Sequence, residues 1–232
     1  MLGLSLGITV KNKVSASAFD ILNVSGIKAW YKLQTSISTN VKGNVSTWGD
    51  SSGNTSENMN LTATNLIDYN AATGAVELST NTTGTLATSG DTLNLGAFTI
   101  FGVIDLTESG ASDEVILGNT STDEFILYGS GNGAKVGLKA NNVISFIVMA
   151  GSVPTGKFLF TLTRASNGLI TIFINGVSKG TVSSNVTDLF DFLRIGNGST
   201  DSLIYEILIY DNELSSSDRT SVETDINTRN GL

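Results

Sequence analysis

The segment Ile170-Thr-Ile-Phe-Ile-Asn-Gly-Val-Ser-Lys-Gly places Asn175-Gly176 between two runs rich in β-branched and aromatic residues. A type I′ turn needs positive φ at both central residues, and Asn-Gly supplies this at low cost, so the segment predicts a two-residue hairpin. A second turn, Ala165-Ser-Asn-Gly168, ties the preceding apolar run to this hairpin and gives three successive antiparallel strands. Comparable short runs recur at residues 98–105, 114–118, 125–128, 135–139, 143–150, 158–164, 169–175, 177–182, 192–195 and 203–210, with Asn, Gly and Ser between them. This spacing predicts an all-β, two-sheet antiparallel sandwich.

A helix is predicted only at the C-terminal end. There Ser215 and Asp218 form a capping-box pattern, Val222 and Ile226 mark one face, and Gly231 is a stop. Forty per cent of the 232 residues are apolar, which is enough to build an independent core, while only 15% are charged. The exterior is therefore expected to be polar through Ser, Thr and Asn rather than through charge. The formal net charge is −8, and Lys and Arg never cluster, which argues against nucleic acid and anionic membrane as partners. The chain has no Cys and no His, so disulfides, thiolate or imidazole metal sites and a Ser-His-Asp triad are excluded. No run approaches the ~18 consecutive apolar residues that a membrane-spanning helix needs.

Leu2, Leu4, Leu6, Ile8 and Val10 alternate with Gly, Ser and Thr, without the basic-then-apolar block of an export signal. We read residues 1–25 as an arm suited to attachment or to strand addition on a neighbour, and residues 26–232 as the sandwich domain.

The run from Lys157 through Asn175-Gly176 to Val177 resembles the paired central strands of concanavalin A-like lectin/glucanase and laminin-G-like jelly-roll domains. Leu193-Arg-Ile-Gly-Asn-Gly followed by Ile204-Tyr-Glu-Ile-Leu-Ile-Tyr-Asp-Asn-Glu-Leu-Ser is similar to their closing strands. Ala29-Trp-Tyr with Val45-Ser-Thr-Trp-Gly-Asp-Ser-Ser-Gly-Asn resembles their opening ones. The resemblance implies a lectin-like jelly roll, of the kind found in bacteriophage virion structural proteins such as head decoration, tail or fibre proteins. On that reading the partners are other virion proteins, further copies of the chain and, as an alternative function, host-surface glycans. The location is the virion, assembled in the host cytoplasm, and no enzyme activity is expected.

The glycosidases among these domains need two carboxylates ~5–10 Å apart across a cleft, and the Glu-x-Asp-x-x-Glu pattern of the jelly-roll members is absent. Glu206 with Asp211 and Glu213 comes nearest, and strand-end or surface polarity is the preferred role for these three. No cofactor and no metal site is assigned. A structural calcium held by Asp50, Asp113, Asp123, Asp188 or Asp191 stays open as an alternative to ordinary turn formation. Asp50 fits an Asx turn, and Asn175 and Gly176 fit the hairpin turn. Trp30 and Trp48 have apolar strand neighbours and are expected in the core. Tyr128 and Asn132, beside the Gly129–Gly133 loop, are the predicted carbohydrate contacts.

Overall fold

The computed structural model describes residues 19–32, 34–78, 84–106, 113–119, 122–128, 135–149, 154–196 and 202–232. In chain order the strands begin with β1 (Ile27–Tyr31), β2 (Ile37–Thr39), β3 (Val45–Trp48), β4 (Leu61–Ala63), β5 (Asp68–Asn70), β6 (Ala75–Leu78) and β7 (Leu86–Thr88). They continue with β8 (Leu93–Leu95), β9 (Phe98–Asp105), β10 (Asp113–Gly118), β11 (Glu124–Tyr128), β12 (Lys135–Ala140) and β13 (Val143–Val148). The last are β14 (Lys157–Arg164), β15 (Leu169–Ile174), β16 (Val177–Ser183), β17 (Phe190–Phe192), β18 (Arg194–Ile195) and β19 (Ser202–Tyr210), before helix α1 (Ser216–Asn230).

Two antiparallel sheets and one short ribbon result. The first sheet runs β16-β15-β14-β9-β19-β6-β5, with β1 paired to the part of β19 that β6 leaves free. The second runs β13-β12-β11-β10-β18-β7-β4-β3-β2, and β8 pairs with β17 in the ribbon. Side chains from the inner faces interdigitate between the sheets, as in other aligned sandwiches. Phe125 of β11 meets Phe160 of β14 with ring centroids 5.0 Å apart, and the fully buried Trp48 stands 5.8 Å from Tyr31. Gly102 on β9 makes room for this layer, because a Cβ there would fall 2.3 Å from the Phe160 ring.

Strands β9 and β19 are buried almost throughout, not on alternate residues. The cause is α1, which covers the outer face of the first sheet. Val222 and Ile226 of the helix, together with Leu214, share a second apolar cluster with Phe101, Val103, Leu159, Leu208 and Tyr210. The helix is capped at Ser215, whose Oγ accepts from the Asp218 N–H at 3.1 Å, and it ends at Gly231 in the left-handed conformation. Ile21 and Val24, from the segment read as an arm, are buried in this same cluster, while Leu2, Leu4, Leu6 and Ile8 lie outside the described residues.

Among the described residues no helix covers the outer face of the second sheet, and its edge strand β13 exposes Val143, Phe146 and Val148. One predicted strand, residues 192–195, is in fact two pieces. The chain leaves the ribbon after Phe192 and enters the second sheet at Arg194, because Phe192 and Ile195 fill different parts of the core.

Candidate functional site

The ribbon strands read Leu93-Asn94-Leu95 and Phe190-Asp191-Phe192. Alternation sends the four apolar side chains into the core and turns Asn94 and Asp191, directly paired across the ribbon, toward solvent. The β10–β11 turn brings Asp123 beside them. Asp123 Oδ2 accepts from Asn119 Nδ2 at 3.0 Å and from Thr122 Oγ1 at 2.7 Å, and Oδ1 accepts from the Asn141 N–H at 3.0 Å. Asn141 and Asn142 form the two-residue turn between β12 and β13 with φ of 49° and 64°, and Asn142 N–H donates to Thr122 O at 2.9 Å. Asp123 thus fastens one hairpin tip to the next. Thr187 and Leu189 complete the walls of a cavity of about 330 Å³, and Leu189, 45% exposed, is its apolar side.

The loop that supplies Thr187 and Leu189 is held from beneath. Arg164, buried at the end of β14, donates from Nε to Ser184 Oγ at 3.1 Å and from Nη2 to Asn185 O at 2.5 Å. Burial lowers the pKa of this guanidinium and the charge of the Asp188 carboxylate raises it. Within the cavity the Asp191 carboxyl is pushed above the usual carboxylate range, first by burial and then by the charge of Asp123, with the Asn119 hydrogen bond acting in the opposite sense.

Asn94 also walls a second depression of about 240 Å³ with Lys28, Glu57, Thr92 and Asp211. Glu57 in turn lines a third, of about 300 Å³, formed by the 50–60 loop with Asn54, Asn58 and Asn60. Lys28 Nζ sits between the two acids of the middle depression, 3.4 Å from Asp211 and 3.9 Å from Glu57. The three depressions adjoin through shared residues and form one polar trough along the rim of the sandwich.

The trough gathers only some of the residues singled out in the sequence. Asp123 and Asp191 come together. Asp50 has its carboxylate occupied, with Oδ1 accepting from the N–H groups of Trp30 at 2.8 Å and Ser52 at 2.9 Å, and Oδ2 from Ser52 Oγ at 2.7 Å. Asn175, at φ 48°, accepts at Oδ1 from Leu159 N–H at 3.0 Å, and Gly176 follows at φ 77°. Tyr128 ends β11 paired with Asp113 and Lys135, at the far end of that strand from Asp123. Asn132 and the side chains of Tyr128 and Asp113 lie outside the described residues. Trp48 sits in the inter-sheet core and Trp30 in the helix-side cluster. Among the described residues no three His, Cys, Asp or Glu side chains gather in a metal-holding group.

Glu206 requires a correction. Its side chain is not surface polarity, because the residue is 1% exposed beneath α1. Oε1 accepts from Trp30 Nε1 at 2.7 Å and from Arg229 Nη2 at 2.8 Å, and Oε2 accepts from Asn230 Nδ2 at 2.7 Å. A buried carboxylate that accepts from three donors anchors a helix, and neither Asp211 nor Glu213 joins it across a cleft.

No protein-family model matches the chain, and no curated protein matches its sequence. Among solved structures it is similar to the binding domain of botulinum neurotoxin DC in complex with SialylT, with a TM-score of 0.59 and 15% identity over 89% of this chain and 52% of that one. It is similar to botulinum neurotoxin type C, whose cell entry is dependent upon interaction with two ganglioside molecules, with a TM-score of 0.59 and 16% identity over 86% and 51%. It is also similar to Trypanosoma rangeli sialidase, with a TM-score of 0.56 and 15% identity over 89% and 34%. The chain therefore spans about half the length of the neurotoxin domains and about a third of the sialidase. At these identities the likeness shows the fold, an all-β sandwich of the lectin-like jelly-roll type.

Proposed function

We propose that the chain is a non-catalytic glycan-binding domain whose ligand lies along the rim trough from Asp191 past Asn94 to the Asn54–Asn60 loop. The observation that carries this reading is the trough, an elongated series of adjoining depressions lined by Asp, Asn, Glu and Thr side chains held on hairpin turns. Planar carboxylate and carboxamide groups offer paired donors and acceptors, as neighbouring sugar hydroxyls require, and Leu189 offers a surface for a pyranose C–H face. Three adjoining depressions suit an oligosaccharide better than a single sugar. One fold neighbour is in complex with SialylT and another depends on two ganglioside molecules for cell entry, which supports a carbohydrate ligand, while a third is in complex with rat synaptotagmin II. The reading is non-catalytic because Glu206 is enclosed and Asp123 is saturated by three donors.

A glycan array with the full chain, followed by titration of any hit, tests the proposal. Single lectin sites bind at roughly millimolar strength, about 4 kcal/mol, so the titration must reach that range. Saturable binding that Asn94→Ala with Asp191→Ala abolishes supports it. No binding at millimolar oligosaccharide, or binding indifferent to those substitutions, refutes it. The same titration with calcium and with chelator decides whether the Asp123–Asp191 pair holds a structural calcium.

Display of this domain on a virus particle is the second reading, and the weakly charged Ser/Thr/Asn exterior supports it. Residues 1–18 would attach the domain to other virion proteins. Deleting them should then empty the particle of this chain while leaving the sandwich folded, and unchanged occupancy refutes the attachment.

A further inference from the structure

Beneath the C-terminal end of α1, a lysine, an asparagine and a glutamate meet. Lys157 Nζ, at the start of β14, donates to the main-chain O of Asn230 at 2.8 Å and lies 4.2 Å from the centre of the Tyr205 ring. The Asn230 carboxamide is 7% exposed as a residue, holds Glu206 Oε2 through Nδ2 at 2.7 Å, and leaves its Oδ1 buried with no hydrogen-bond partner. Glu206 Oε1 is engaged by Trp30 and Arg229, while Oε2 accepts only from Asn230 Nδ2 and is the oxygen placed to pass that nitrogen a proton. Burial lowers the pKa of the Lys157 ammonium, and the Glu206 charge raises it.

From this arrangement we propose that Lys157 and Asn230 join through an isopeptide bond between Nζ and Cγ, with Glu206 as the proton carrier. The ammonium, already against the Asn230 main chain, reaches Cγ by rotation of its flexible four-carbon stem. Once turned toward Cγ, it first gives one proton to Glu206 Oε2, which lies beside Nδ2. The freed nitrogen lone pair attacks Cγ and forms the new C–N bond. Glu206 returns its proton to Nδ2, the Cγ–Nδ2 bond breaks, and ammonia leaves, taking a second proton from the attacking nitrogen to depart as ammonium. Nothing is oxidised or reduced, Glu206 is regenerated, and the charge of one ammonium is conserved. Partial burial of Lys157 favours the neutral amine over the ammonium, against the pull of the Glu206 charge, and the unpartnered Oδ1 is an acceptor that no competing donor in the fold ties down. The product is a covalent tie between the central sheet and the end of the helix, two points 73 residues apart.

Intact mass of the purified, denatured full chain tests this, because the bond removes one ammonia, about 17 Da, and survives denaturant. Asn230-Gly231 can also lose ammonia by cyclising to a succinimide, although in the fold the Gly231 N–H is committed to Asn227 O. Lys157→Arg separates the two routes. It keeps the positive charge and a donor for Asn230 O, yet a guanidinium does not acylate under these conditions. The expected result is the ammonia-depleted mass in the native chain, the full mass in Lys157→Arg and in Glu206→Gln, and a branched peptide linking residues 157 and 230 after proteolysis. A full mass in the native chain overturns the proposal. So does a depleted mass that persists in Lys157→Arg, which would report the succinimide.

Discussion

The two polar groupings of this molecule use the same residue types to opposite ends. Under α1, Glu206, Glu223 and Asn230 are buried, the half-buried Arg219 and Arg229 reach in to the two acids, and each acid is met by named donors. Glu223 Oε1 accepts from Thr161 Oγ1 at 2.8 Å and from Arg219 Nη1 at 2.7 Å. At the rim, Asp191 faces another carboxylate with no cation against it in the cavity, and Asn94 and Asn141 are exposed. Acids that close a helix onto a sheet must be neutralised where they stand, since an unpaired buried charge is costly. At the rim Asp191 is only half-buried, and there its repulsion by Asp123 is tolerable.

The contrast can be broken at four points. Glu206→Ala strands the Arg229 guanidinium, the Trp30 indole N–H and the Asn230 amide, and should cost about 3–5 kcal/mol in urea unfolding; a loss under ~1 kcal/mol would erase the distinction between the two groupings. Thr161→Val removes one donor to Glu223 and should cost about 1–3 kcal/mol by the same measurement. Asp123→Ala unties the two hairpin tips and should cost on the order of 1 kcal/mol, with ligand binding falling further than stability does.

The smallest effect has the opposite sign. Because the folded-state pKa of Asp191 is raised, the unfolded chain ionises first as pH rises. This residue therefore lowers stability at neutral pH and not below the unfolded carboxylate pKa of about 4. Asp191→Asn should accordingly stabilise by on the order of 0.5 kcal/mol at neutral pH, after discounting for solvent screening, and by nothing near pH ~3. Thermal melts across that pH range check it, and a stabilisation independent of pH would mean that the charge is not the cause.

The long central strands and the helix were legible because their signals are local. β14, β15, β16 and β19 fall within one residue of the segments read from alternation and turn chemistry, and α1 begins and ends at its capping residues. The stretch from β4 to β8 was not, because strands of three or four residues such as Leu61–Ala63 and Asp68–Asn70 are too short to show a period. Asp123 and Asp191 were each visible as loop acids, but their meeting depends on the ribbon pairing of β8 with β17 and on the β12–β13 turn. Asn141-Asn142 between two apolar runs was a turn signal of the Asn-Gly kind that went unread. Glu206 was misjudged because its partners, Trp30 and Arg229, lie 176 and 23 residues away and nothing in its own strand announces them.

The first strand and the last lie side by side, with Ile27 opposite Tyr210. That pairing is far from local, so β1 completes the first sheet only once β19 is in place, and a contact of such long sequence separation slows folding relative to a fold built from neighbouring hairpins.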